Sequence, residues 1–213
     1  MTQPKIMAVA GPSGSRKTES CRKIQAAHPD AVELVSLDDL YRDQEKFPRV
    51  NGWINWELPR CINFSQLNRI LRGLKQNQAV ECPTIDHKTG RRGNRIVEPK
   101  PLILVEGFLM LYWKSTRGLC DSSVFLEVAP ALQFEQRRQK DPDCDPEYIR
   151  RVVIPYFQIY GAQGYNYAEW IIRGDQTARE IARSIVHAIH QKFGNFIDYA
   201  RHKHDEAGTH TPA

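Results

Sequence analysis

Continuous apolar runs, each closed by a glycine, a carboxylate or a polar turn, alternate along this chain with segments whose apolar residues recur at helical spacing. "KIMAVA" (5–10) is the first run, and its lack of alternation predicts a strand buried on both faces. "KTESCRKIQAAH" (17–28) then predicts a helix that ends before Pro29, and "AVELVSL" (31–37) a second strand. In "FSQLNRILRGL" (64–74), Phe64, Leu67, Ile70, Leu71 and Leu74 share one helical face, with Ser65 as the expected cap. "PLILVEG" (101–107) is the plainest strand, and "SSVFLEV" (122–128) is another. "ALQFEQRRQK" (131–140) reads as a helix stopped by the breaker "DPDCDP" (141–146), and "EYIRRVVIPYFQIYGAQ" (147–163) resumes helical spacing around Pro155. "AEWII" (168–172) is a last strand and "QTAREIARSIVHAIHQKF" (176–193) an amphipathic helix. Strands alternating with helices predict a three-layer α/β fold. Ligands of such sheets sit beyond the carboxyl ends of the strands, where the polar motifs of this chain fall.

Composition narrows the class. At 213 residues the chain suits one domain, expected over 1–200, with the polar residues 201–213 as a tail. Hydrophobic residues at 41% and charged ones at 26% are ordinary for a globular protein. The formal charge of +5 is spread along the chain, which favours handling of anionic phosphates over nucleic acid. The five cysteines, Cys21, Cys61, Cys82, Cys120 and Cys144, show no paired or zinc-like spacing and read as reduced thiols of a cytoplasmic protein. No stretch approaches the roughly 20 apolar residues of a membrane span, and no membrane partner is expected.

"GPSGSRKT" (11–18) lies between the first strand and the first helix, where a phosphate-binding loop belongs. Gly11, Pro12, Ser13, Gly14, Ser15, Arg16, Lys17 and Thr18 would surround the phosphates of a nucleotide. Backbone N–H groups and the helix N-terminus point at the anion, Lys17 reaches the outer phosphates, and the Thr18 hydroxyl is a Mg²⁺ ligand. Arg16 stands where that pattern has its second glycine. An L-residue there predicts a loop that binds ATP less tightly than a glycine would allow.

Three further sites complete a chemistry. In "SLDDLYRD" (36–43), an acid at the end of the second strand either caps a helical turn or, as Asp38, acts as general base on an attacking hydroxyl. Glu106 ends the strand "LILVEG", the place of a carboxylate that positions Mg²⁺ beside a phosphate loop. The cluster "EQRRQKD" (135–141) is either a solvated helix face or a lid whose arginines stabilise the transferred phosphoryl charge.

Together these places resemble the uridine kinase and nicotinamide riboside kinase group, relatives of phosphoribulokinase, from about residue 5 to about residue 193. The resemblance implies a P-loop NTPase fold with a short helical lid at about 137–160, ATP and Mg²⁺ as cofactors, and a small ribosyl acceptor. It implies that Asp38 is the catalytic base. It implies that "NWELP" (55–59) offers Glu57 to the ribose hydroxyls, with Trp56 as a stacking face. Arg137 and Arg138 map onto lid arginines that contact nucleotide and substrate. "TIDHKTGRR" (84–92) keeps Asp86 of the family's base-holding segment but has Ile85, His87 and Gly90 around it, a departure from the uridine pattern. The expected activity is phosphorylation of a primary 5′-hydroxyl by ATP, on a nucleoside, on nicotinamide riboside or on another sugar of the same group. Two rivals of other classes are a catalytically impaired nucleotide-binding regulator, with Arg16 as the lesion, and an RNA-binding protein using "HKTGRRGNR" (87–95).

Overall fold

The computed structural model describes residues 3–86 and 89–195. Its centre is a five-stranded, all-parallel sheet in the order β2-β7-β1-β8-β9. The strands of the chain are β1 (Lys5–Ala10), β2 (Val32–Ser36), β3 (Arg49–Val50), β4 (Trp53–Ile54), β5 (Val80–Ile85), β6 (Arg92–Val97), β7 (Leu102–Gly107), β8 (Ser122–Glu127) and β9 (Trp170–Arg173). The helices are α1 (Lys17–Ala27), α2 (Phe64–Lys75), α3 (Lys114–Arg117), α4 (Pro130–Lys140), α5 (Pro146–Tyr148), α6 (Ile154–Tyr160) and α7 (Ala178–Phe193).

The inner strands β1 and β7 are apolar without alternation because every residue of β7 is buried and β1 is buried from Ile6 onward. Ile6, Ala8, Ile103 and Val105 face one core with Leu67, Ile70, Leu71 and Leu74 of α2. Met7, Val9, Leu102 and Leu104 face the other with Ile24 of α1 and Ile181, Ile185 and Ile189 of α7. Two apolar clusters on opposite faces of one sheet make the three layers expected from the alternation of elements.

Several expectations need correction. Helix α2 begins at Phe64 rather than after Ser65, and its cap is Asn63, whose side chain accepts from the Gln66 N–H at 3.2 Å. Phe64 is buried in the core as the first helical residue, and the cap lies two residues earlier than expected. The stretch expected to be a helix over 147–163 is α5, a π-helical segment Ile149–Val153, α6 and a 3-10 segment Ala162–Tyr167. Pro155 in the first turn of α6 has no N–H to donate, and the π segment lies immediately before it. The antiparallel pair β5–β6 was not legible, because Pro83 and the charged residues of β6 mask any strand signal. The expected tail, 201–213, lies outside the described residues. Among the described residues no helix is long and apolar enough to cross a membrane.

Candidate active site

Parallel pairing aligns the carboxyl ends of three strands. In the register of the sheet Ser36 stands beside Glu106, and Ala10 beside Gly107, so the turns after β1, β2 and β7 rise together. Gly107 permits this, because a Cβ there would fall 2.3 Å from the Leu37 Cβ. The chain after β2 can therefore fold over the end of β7 as a 3-10 turn, Leu37–Leu40, that carries Asp38. The Ser36 hydroxyl caps that turn by accepting from the Asp38 N–H at 3.3 Å, and donates to Glu106 Oε1 at 2.6 Å.

Glu106 is almost fully buried and its Oε1 also accepts from the Thr18 hydroxyl at 2.9 Å. Burial raises its pKa, the charge of Asp38 adds to the rise, and Lys17 and the two hydroxyls oppose it. Lys17, itself buried, donates to the Pro12 carbonyl at 2.9 Å, and burial lowers its pKa against the pull of Glu106 and Asp38. Thr18 and Glu106 are hard oxygen donors suited to Mg²⁺, which binds with one or two protein oxygens and otherwise takes phosphate and water. The second oxygen of Glu106 accepts no hydrogen bond among the described residues, so the residues fit such an ion.

The loop 11–18 bends as a phosphate loop must. Gly14 has φ +90°, and a Cβ on it would meet the Arg137 backbone nitrogen at 3.1 Å and the Gln133 carbonyl at 3.4 Å. Helix α4 thus lies directly on the loop. Arg16 adopts the left-handed conformation, φ 62°, and its guanidinium donates to the Gln176 carbonyl at 2.7 Å. The arginine is turned away from the loop's interior, toward the connection between β9 and α7.

The segment after β4 supplies the next acid. Asn55 is wholly buried, and its side-chain oxygen accepts from the Glu57 N–H at 3.0 Å in a local turn that presents Glu57 inward. Glu57 is buried, which pushes its pKa up to about 7; Arg137 and Lys17 oppose the rise, and Asp38 adds to it. Its surroundings are aromatic. Trp56 makes edge contacts with Tyr41 and Phe47, both at 5.1 Å between centroids, while Tyr148 lies 6.2 Å from Trp53. Burial and the Glu57 carboxylate raise the phenol pKa of Tyr148, and burial with Asp38 and Glu57 raises that of Tyr41.

Lys17, Asp38, Glu57, Glu106 and Arg137 therefore share one electrostatic cluster, with Trp56 on its margin. Arg138 and Asp86 stand apart from it. The Arg138 guanidinium donates to the Pro142 and Cys144 carbonyls and so ties down the turn after α4. Asp86 is exposed at the β5–β6 turn, where its carboxylate accepts from the Thr89 N–H at 3.3 Å. Residues not singled out from sequence fill the gaps. Gln133 and Gln136 are buried on the same face of α4 as Arg137, and both Gln133 amide atoms, the Gln136 Oε1 and the Arg137 Nε lack hydrogen-bond partners among the described residues. Their spacing (133, 136, 137, 140) is that of one helical face, a signal the sequence carried; for Tyr148 there was none.

A glycine-containing loop at the carboxyl end of the central strand of an all-parallel sheet, with strand-end carboxylates and a helix over the loop, defines a P-loop kinase. The sequence profile of the Phosphoribulokinase / Uridine kinase family matches residues 6–143, and the chain belongs to that family. It is 26% identical over 167 residues to a uridine kinase of Borrelia hermsii (strain HS1 / DAH), covering 78% of this chain and 81% of that protein. A uridine kinase of Lactobacillus helveticus (strain DPC 4571) is 30% identical over 146 residues, 66% of this chain and 69% of that protein. Among solved structures, phosphoribulokinase from Rhodobacter spheroides is similar with a TM-score of 0.63 at 13% identity, covering 80% of this chain and 70% of that one. The chain is accordingly a phosphotransferase that acts on an alcohol group, with the nucleotide-binding fold of its family.

Proposed function

We propose that this protein is an ATP-dependent kinase that phosphorylates the primary 5′-hydroxyl of a nucleoside or related ribosyl compound. The observation that carries the reading is the mutual influence of four charges beside the loop 11–18, with Lys17 and Glu57 buried and Asp38 and Arg137 half-buried. Residues 11–18 hold the ATP phosphates through backbone N–H groups, with Lys17 on the outer ones. Thr18 and Glu106 hold Mg²⁺, which when bound neutralises charge on the transferring phosphates. Asp38 orients the acceptor hydroxyl and takes its proton. Glu57 receives the ribose diol as a charge-assisted acceptor, and the half-buried Trp56 offers a face to the base. Arg137, held over the loop by α4, stabilises charge on the phosphoryl group, with the segment from α4 to α6 as its lid.

The aromatic surroundings of Glu57 favour a flat heterocycle on the ribose, which suits a nucleoside or nicotinamide riboside better than an open-chain sugar phosphate. The five unpaired thiols suit the reducing cytoplasm. A coupled assay of ATP consumption against uridine, cytidine, nicotinamide riboside and ribulose 5-phosphate tests the proposal. Turnover with a ribonucleoside supports it. Tight ATP binding with no turnover on any of the four would replace it with a nucleotide-binding regulator.

A further inference from the structure

The chain segments that follow Asp38 and Glu57 are sewn together. Tyr41 and Ile62 form an antiparallel bridge, the Arg42 N–H donates to the Cys61 carbonyl at 2.8 Å, and the Asn63 N–H donates to the Leu40 carbonyl at 2.9 Å. At this seam lies a cavity of about 710 Å³ that is also lined by residues of α2, α3 and α6 and includes none of the clustered residues Lys17, Asp38, Glu57, Glu106 or Arg137. Its volume is that of a small-molecule site. One wall is aromatic: Tyr112 contacts Trp113 at 5.0 Å and Tyr160 at 5.9 Å between centroids, and Phe64 contacts Trp113 at 6.4 Å. Trp113 is left 47% exposed.

Arg42 and Arg60 also line the cavity, and no lining residue is acidic. Both are exposed at its mouth, and neither guanidinium has a hydrogen-bond or ion-pair partner among the described residues, so both are open to a ligand. A guanidinium binds a carboxylate or phosphate through paired N–H donors, and a flat ring gains most against an aromatic wall. We propose that this cavity is a second ligand site, for a small aromatic or heteroaromatic anion, with its ring against Tyr112 and Trp113 and its charge on Arg42 and Arg60.

The site also has a route to the acceptor. Arg42 follows Asp38 by four residues and Arg60 follows Glu57 by three, and the seam couples the two segments. The occupant therefore acts as an effector of acceptor affinity, a step that rests on the acceptor role proposed for Glu57 and Asp38. Linkage makes the effect reciprocal, so acceptor and effector change each other's affinity by the same factor.

Calorimetry of the whole protein with phenyl phosphate and with phenylacetate, with a non-hydrolysable ATP analogue already saturating the nucleotide site, tests the binding step. We expect one saturable site for at least one probe, and the better probe identifies the anionic group. Binding should survive Asp38→Asn and weaken by about tenfold or more in the Arg42→Ala/Arg60→Ala pair, since a charge-assisted hydrogen bond is lost. Quenching of tryptophan emission by the probe should fall in Trp113→Phe. Absence of saturable binding, binding indifferent to the two arginines, or binding abolished by the ATP analogue overturns the site. If binding holds but the acceptor's affinity is unmoved by the probe, the effector role is overturned and the site stands. Because calorimetry needs no turnover, failure of the kinase reading leaves the binding result readable.

Discussion

Replacing Arg16 by glycine and by alanine separates backbone strain from the side-chain tether. Arg16 holds φ 62° and ψ 18°, a conformation that costs an L-residue about 1–2 kcal/mol. Against this, its Nη1 donates to the Gln176 carbonyl at 2.7 Å, a hydrogen bond from a charged group worth about 1.5–3 kcal/mol at most in a half-buried setting. Arg16→Gly removes both terms and adds about 0.4–1 kcal/mol of unfolded-state entropy, so the net change should lie between about zero and a loss of about 3 kcal/mol. Arg16→Ala keeps the strain and loses the tether, so it should be the less stable of the two by up to about 1.6 kcal/mol, the strain less glycine's added entropy. Arg16→Lys, which can still donate to the carbonyl, should recover part of the loss. The guanidinium faces Gln176 rather than the loop's interior, so Arg16→Gly removes no phosphate ligand, and ATP affinity should change by less than about tenfold, or about 1.4 kcal/mol. The sequence alone predicts tighter binding on restoring the glycine. With the backbone already in the conformation glycine would take, little tightening is left to gain. Urea unfolding and ATP calorimetry on the three variants check this. A loss of ATP affinity beyond tenfold in Arg16→Gly, without loss of stability, would mean that the arginine turns inward and grips a phosphate, and would refute the tether.

Asp38→Asn should cost about a hundredfold or more in kcat while ATP affinity holds, measured by steady-state kinetics and calorimetry; near-normal turnover would move the base role to Glu106. Glu57 has a folded pKa of about 7, above its ordinary value, so the folded protein takes up a proton as pH falls from the neutral range toward 4.5. Stability should therefore decline as pH rises between those limits, and Glu57→Gln should raise the melting temperature at pH 8 and leave it little changed near pH 4.5. The carboxylate is the form that binds a diol, so kcat/KM for the acceptor should climb through pH 7 in the parent and lose that limb in Glu57→Gln. An acceptor lacking its 2′-hydroxyl should bind about 1.5–3 kcal/mol more weakly than its ribo counterpart, and equal affinities would remove the diol contact. Gly14→Ala should impair turnover more than folding, because its Cβ would press on the Arg137 nitrogen 3.1 Å away and lift α4 from the loop; unchanged kcat would show that α4 need not close.

Much of the architecture was legible because it is written in local physics. A strand buried on both faces must be apolar throughout, so β1 and β7 declared themselves, and a helix with one face on the sheet and the other in solvent must be amphipathic, so α2 and α7 did too. The loop "GPSGSRKT" and the strand-end acids Asp38 and Glu106 were visible for the same reason, since their positions follow from where strands stop. Partnership between distant segments was decided by the tertiary structure alone. No spacing along the chain could show that Ser36 and Thr18 would both donate to Glu106, or that Arg16 would find a carbonyl 160 residues away. Arg137 and Arg138 look alike in sequence, yet one helical step of about 100° turns the Arg137 charge toward Glu57 and Arg138 back onto its own turn. The sequence places Glu57 as a diol acceptor through its resemblance alone, and only its burial in the fold shows that its pKa is lifted. Burial, register and charge environment are sums over residues far apart in sequence, and only the assembled fold supplies them.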